Sequence, residues 1–207
     1  MKTILLLSLC TVGLFAQDLK LMPPRTTGGT PLRDALTKRC SMRDFTGEAL
    51  SAQQLSDLFY AACGMNRKSD KKLTIPTARN VQDLVLYAAT EQGIYRYEAA
   101  SHTLKLCKKG DFRARLGMQK AMFQKAAVVL IYTSDLAKLN FGATDAEKKI
   151  YAGVHAGFAM QNVGLFCAAE GLGNVVIGSY DRTSVPEILG LDDKHPVLMA
   201  QLVGIPK

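Results

Sequence analysis

Apolar and polar positions alternate with period two over residues 94–97 (Ile-Tyr-Arg-Tyr) and 104–106 (Leu-Lys-Leu), the pattern of strands with one wet face. Together with the apolar run 84–89 they predict three strands, 84–89, 93–97 and 103–107, the last two forming a hairpin whose turn covers 98–102. Residues 126–132 are a continuous apolar, β-branched run suited to a central strand, and 174–177 and 197–205 read as two more. Helical spacing fills the intervals. Thr30-Pro31 offers an N-cap and a proline at the first helical position of a short helix ending near Arg39. Ser51-x-x-Gln54 is a capping box for a second helix, whose Leu55, Leu58 and Phe59 share a face and which stops at Gly64. A basic helix is expected over 111–123 and a short one over 184–189. The longest helical stretch, 145–170, ends at Gly171-Leu172-Gly173. Residues 17–30, rich in Pro, Thr and Gly, read as an irregular arm, and 66–70 as a polar loop. No repeat or linker follows residue 30, so a single α+β domain over 31–207 accounts for the rest.

The first 16 residues differ from everything after them. Lys2 precedes the largely apolar stretch 4–15, and Ala16 is a small residue at a plausible cleavage point, which reads as a secretory signal peptide over 1–16. The stretch is too short to span a bilayer comfortably and no stop-transfer pattern follows, so the expectation is an exported, periplasmic protein without stable membrane insertion. Leu9 is large where a lipidated Cys10 would want a small neighbour, which argues against lipidation. The mature chain of about 190 residues is enough for one sizeable core.

Charge and cysteine usage remove several classes. The net charge of +8 becomes +7 once Lys2 is removed, but the basic residues are scattered and not interleaved with aromatics, so nucleic acid is not an expected partner. The four cysteines outside the leader, Cys40, Cys63, Cys107 and Cys167, are widely spaced and form no CxxC. None of the three histidines has a metal-ligand spacing, so no metal site is expected, and His155 reads as a hydrogen-bonded buried or interface histidine. Gly171-x-Gly173 follows a helix and opens a strand, the reverse of a dinucleotide fingerprint. GxxxxGK[ST] and GxSxG are both missing from the sequence, and Cys167 lies twelve residues from His155 on one helix.

Two segments carry candidate chemistry. In an extended backbone Arg39, Ser41 and Arg43 of Arg39-Cys40-Ser41-Met42-Arg43-Asp44-Phe45 fall on one face, about 6.5 to 7 Å apart. Two forked cations and a hydroxyl in that row can hold a phosphate and the polar edge of a ring; a solvated basic loop has the same composition. The helix 151–169 is apolar nearly all round and holds Gly153, Gly157 and Gly164, each costing about 1 kcal/mol against alanine, which implies a close backbone approach. A dimer seam would supply it, and so would packing on the protein's own sheet. Gln161 and Asn162 interrupt this helix and need partners.

The opening segment resembles the R-x-S-x-R-x-F motif of the FMN-dependent nitroreductases. Ile75-Pro76-Thr77-Ala78-Arg79-Asn80-Val81-Gln82 is similar to that family's P-S-x-x-N-x-Q, with Thr77 for serine, and 159–162 with 168–173 to its central helix and following turn. The resemblance covers about 32–207, and the hairpin places it near the oxidases that aromatise thiazolines and oxazolines in peptides.

What the resemblance implies is a central mixed or antiparallel sheet flanked by helices, in an intertwined homodimer with two FMN sites shared between subunits. Arg39 and Ser41 would meet the ribityl phosphate or flavin, with Cys40 beside them in place of a commoner Arg or His. Arg43 would lie near the N1/O2 edge, where a cation favours the reduced anionic ring. Thr77 and Asn80 would approach from the partner subunit, Ile177, Gly178 and Ser179 would pass the N5 side, and Gln119 would reach the pyrimidine edge. Lys207 is the one candidate for a C-terminal phosphate contact. The implied function is reduction of a nitroaromatic or quinone-type small molecule by the flavin, with no side chain required as acid or base. Two rivals are an FMN-dependent dehydrogenase or oxidase of a peptide or heterocycle, and a flavin-binding electron relay without turnover.

Overall fold

The computed structural model describes residues 17–141 and 144–207, so the signal-peptide expectation for 1–16 lies outside the described residues. In chain order the elements are β1 (Leu19–Lys20), α1 (Leu32–Lys38), α2 (Ala52–Cys63), β2 (Met65–Arg67), β3 (Lys72–Leu73), β4 (Leu84–Ala89), β5 (Gly93–Glu98), β6 (Thr103–Lys109), α3 (Lys120–Lys125), β7 (Val128–Ser134), α4 (Asp145–Glu170), β8 (Gly173–Ile177), α5 (Ser184–Leu189) and β9 (Val197–Gly204). Seven strands make one sheet in the order β1-β6-β5-β4-β7-β9-β8. Every pairing in it is antiparallel, so of the two sheet types expected the antiparallel one is found.

The central strand shows how the pattern builds the core. All seven residues of β7 are buried, and alternate side chains enter opposite layers: Val128, Leu130 and Tyr132 pack with α2 and α4, Val129 and Ile131 with Phe123 and Val185 of α3 and α5. A strand covered on both faces must read as a continuous apolar run, which is why periodicity was silent there. The Tyr132 hydroxyl, buried, donates to Gln201 Oε1 at 2.6 Å, and Gln201 Nε2 donates to Asn174 Oδ1 at 3.0 Å. This network ties β7, β9 and β8 together beneath the segment that carries the arginine row.

Several local expectations give way to tertiary contacts. Thr30 does not cap α1; its hydroxyl donates to the Ala169 carbonyl at 3.0 Å, one of the acceptors left over at the end of α4, and Pro31 occupies the cap position. The arm is not wholly irregular, because Leu19 and Lys20 pair with Leu104 and Thr103 as the edge strand β1. The polar loop at 66–70 lies within a small hairpin of β2 and β3. The basic helix expected over 111–123 is replaced by a 3-10 turn at Arg113–Arg115 and the short α3. There the Asp111 carboxylate accepts from Arg113 N, Nε and Nη2, pinning a tight turn, and a side chain on Gly117 would collide with the Phe123 ring. Capping of α2 by Ser51 and Gln54 follows the sequence. All four described cysteines are free.

The long helix α4 departs from the picture of burial on most sides. Ala152, His155, Ala156, Ala159 and Val163 are buried, but Ile150, Val154 and Phe158 are exposed at 66%, 46% and 41%. These three, with Gly153, Gly157 and Gln161, recur at helical spacing on one face. A Cβ on Gly153 or Gly157 would meet nothing within 4 Å, so within one chain these glycines approach no backbone. Asn162, by contrast, has its partner, donating to the Ala61 carbonyl at 3.0 Å. No helix among the described residues is long and apolar enough to cross a membrane.

Candidate functional site

The arginine row is not a strand of the sheet. Arg39 ends α1, its N–H donating to the Ala35 carbonyl at 2.9 Å, and the chain then crosses the start of β8, where Met42 N–H donates to the Asn174 carbonyl at 2.8 Å. Phe45 closes the segment, fully buried and bridged to Pro206. The backbone is thus fixed at both ends while Arg39, Cys40, Ser41 and Arg43 stay exposed. No side-chain hydrogen bond or ion pair engages Arg39, Ser41 or Arg43 among the described residues. Uncommitted forked donors on a pinned backbone are what an anionic ligand needs.

Lys207 stands beside this segment: its N–H donates to the Asp44 carbonyl at 3.3 Å and its Nζ lies 3.3 Å from the Asp44 carboxylate. In one chain the ammonium is therefore shared with a neighbouring acid rather than free. A cavity of about 190 Å³ adjoins the row, walled by Lys38, Cys40, Met42, Leu172 and Asn174. A larger one of about 420 Å³ lies over β4 and β5 and holds none of the candidate residues.

The opposite end of β8 assembles a second group. Ile177 ends the strand, Gly178 follows, and the Ser179 hydroxyl donates to Gln119 Oε1 at 3.0 Å while its carbonyl accepts from Met118 N–H at 3.1 Å. Gln119, which the sequence placed only by resemblance, is thereby brought to Ser179. Three strand steps, about 10 Å, separate Ile177 from Asn174, where the arginine row crosses the strand.

Thr77 and Asn80 form a third group that meets neither. Residues 77–82 make a turn in which Arg79, Asn80 and Gln82 have φ of 51°, 58° and 50°, a conformation L side chains adopt at a cost. The Thr77 hydroxyl oxygen accepts from Gln82 N–H at 3.0 Å, leaving its own proton free to donate, and Asn80 Oδ1 accepts from Gln82 Nε2 at 3.2 Å. The turn sits on α4 at His155, whose Nε2 accepts from Ala78 N–H at 2.9 Å. Arg39 instead packs beside Gly164, nine residues and about 13 Å further along the helix.

Sequence reasoning missed what lies behind that contact. His155 Nδ1 is 2.6 Å from Asp83 Oδ1, and Asp83 Oδ2 accepts from the Ser134 hydroxyl at 2.7 Å, all three residues being buried. The apolar surroundings of His155 were the only signal. Asp83 and Ser134 are distant in the chain and carry no pattern of their own.

The nitroreductase family model matches residues 36–205, an interval that contains the arginine row, the Thr77 turn and the Ser179 group. The chain belongs to the nitroreductase family. This is a family of FMN-dependent oxidoreductases. A Methanocaldococcus jannaschii protein assigned as a nitroreductase is 28% identical over 177 residues, 81% of this chain and 88% of that one. Among solved structures, a nitroreductase-type protein of Ralstonia eutropha superposes with a TM-score of 0.85 at 28% identity, covering 95% of this chain and 92% of its own. A Desulfovibrio desulfuricans protein solved in complex with FMN shares the fold, with a TM-score of 0.61 and 20% identity over 86% of this nitroreductase-family chain and 88% of its own.

Proposed function

We propose that this protein is an exported FMN oxidoreductase, acting as an intertwined homodimer on a nitroaromatic or quinone-type acceptor. The observation that carries the reading is the row Arg39, Ser41 and Arg43: exposed, unpartnered and held on a backbone anchored by Met42 and Phe45. Its donor set fits the phosphate and polar edge of FMN. The cofactor, when bound, would supply the electron-transfer chemistry.

Each group of the chain then has a binding task. Arg39 and Ser41 hold phosphate or ribityl oxygens, with Cys40 alongside, and Arg43 presents a cation to the ring edge. Ile177, Gly178 and Ser179 pass along the ring, and Gln119, oriented by Ser179, reaches the pyrimidine edge. Lys207 contributes charge from beside Asp44. Thr77 and Asn80 lie too far along α4 to join the row of their own chain, so they serve the partner's. The exposed face of α4 supports such a pairing, since Val154 and Phe158 lack cover and Gly153 and Gly157 leave room for a second helix. The leader at 1–16 supports export to the periplasm.

Reconstitution with FMN, followed by absorbance, mass in solution and stopped-flow reduction and reoxidation, tests this reading. The expected result is one FMN per chain in a dimer, with rapid reoxidation by a quinone or nitroaromatic. Tight flavin binding by a monomer refutes the shared site, and bound flavin that small acceptors do not reoxidise refutes the activity.

A further inference from the structure

The turn that carries Thr77 and Asn80 has three non-glycine residues at positive φ within four positions. Its Gln82 end is tied down by Gln82 Nε2 donating to the Lys71 carbonyl at 2.6 Å and by Lys138 Nζ donating to the Gln82 carbonyl at 3.0 Å, whereas among the described residues a single hydrogen bond links residues 77–80 to a group outside the turn. That bond runs from Ala78 N–H to His155 Nε2 at 2.9 Å. Because an amide proton points at Nε2, that nitrogen carries no proton; the ring's own proton is on Nδ1 and faces Asp83 Oδ1 at 2.6 Å. Asp83 is in turn held by the Ser134 hydroxyl, and its carbonyl accepts from Asp135 N–H at 2.8 Å. The other tautomer would set N–H against N–H at Ala78, and a flipped ring would set a C–H there with no acceptor. A buried chain running from β7 through Asp83 to α4 therefore fixes both the orientation and the tautomer of one acceptor, and that acceptor holds the Ala78 end of the turn.

We propose that His155 is a positioning residue: through Ala78 N–H it holds Thr77 and Asn80 in the strained conformation that meets FMN, with Asp83 and Ser134 setting its tautomer. This rests on the reading that Thr77 and Asn80 contact the flavin. Simple core packing would not need a specific acceptor at Nε2. Positioning does, because relaxation of Arg79 and Asn80 to ordinary backbone angles would carry both flavin-contacting side chains away.

His155→Asn and His155→Gln separate the two roles of the ring. An Asn amide reaches the place of Nδ1 and can keep the Asp83 bond but falls short of Ala78, whereas a Gln carbonyl reaches the place of Nε2 and can still accept from it. FMN titration of the full mature protein should show His155→Asn weakened at least tenfold and His155→Gln within about threefold of wild type. Hydrogen exchange at the Ala78 amide, measured without flavin, should accelerate at least tenfold in His155→Asn alone. Equal FMN affinities for the two variants, or an unchanged Ala78 amide in His155→Asn, overturn the proposal. Nitrogen NMR of wild-type His155 gives a test that needs no variant: a protonated Nε2 overturns it, and a bare Nε2 with protonated Nδ1 supports it. If wild type binds no FMN, the cofactor reading fails, while the exchange and NMR results still decide whether His155 holds the turn.

Discussion

The ring of Phe45 occupies the space a side chain on Gly204 would need: a Cβ there would stand 2.9 Å from Phe45 Cδ1 and 3.2 Å from the Ala127 backbone nitrogen. Gly173, paired with Gly204 across β8 and β9, faces the same ring, where its Cβ would lie 3.1 Å from Phe45 Cε1. Two strand glycines thus admit one aromatic side chain, and that side chain anchors the arginine row.

Gly204→Ala should accordingly destabilise the fold by about 1 to 3 kcal/mol through overpacking. Phe45→Ala should cost about 3 to 5 kcal/mol by emptying the site. Urea unfolding midpoints check both, and FMN affinity should fall with Phe45→Ala as the row loses its anchor.

Arg39→Ala should weaken FMN binding by a charge-assisted contact, about 1.5 to 3 kcal/mol or roughly ten- to hundredfold. Arg43→Ala should chiefly lower the flavin's reduction potential, since its cation faces the ring edge. Titration and potentiometry read the two arms separately; no change in either would mean that the row is a solvated basic loop.

Val154→Asp places a charge on the exposed face of α4, where the single chain has nothing to disturb. Sedimentation should then show monomer in place of dimer with the far-UV spectrum unchanged, and FMN affinity should fall because Thr77 and Asn80 of the second copy are lost. A dimer that survives Val154→Asp would place the seam elsewhere.

The pH dependence of stability should contain a histidine step. Burial holds His102 below its ordinary value of 6.5, its ring lying between the Ser56 and Tyr97 hydroxyls at 2.8 Å each, with Asp57 opposing the shift and Lys68 adding to it. The unfolded chain therefore takes up this proton at higher pH than the folded one. Stability is full above about 6.5 and falls as the pH drops toward the lower folded value. Asp18, Asp181 and Asp192 are held below 3.8 and Glu147 below 4.5 by their hydrogen bonds, so their contributions are lost only at more acid pH. Denaturant titrations should show a decline as the pH drops below about 6.5 in wild type that is smaller in His102→Gln.

Mass spectrometry of the secreted protein should find a mature chain beginning at or near Gln17 with no lipid. A mass matching a diacylated Cys10 would contradict both the cleavage point and the soluble form.

Whatever neighbours in the chain decide was legible before the fold was known. Period-two alternation marked β5 and β6, the Ser51–Gln54 box marked the start of α2, and Gly171 marked the end of α4, because each depends on contacts within a few residues. The order of motifs marked the family in the same way. Tertiary structure decided the rest. Thr30 was drawn from its expected cap by a carbonyl 139 residues away, and Asp111 and Gly117 broke a helix that composition favoured. Only the fold put Gln119 against Ser179 and left Thr77 apart from Arg39 on α4. The chain of contacts from His155 to Asp83 and from Asp83 to Ser134, whose two links span 72 and 51 residue steps, has no local trace at all. Buried polar groups must find partners wherever packing brings them, and packing is fixed by the whole sheet rather than by any stretch of it.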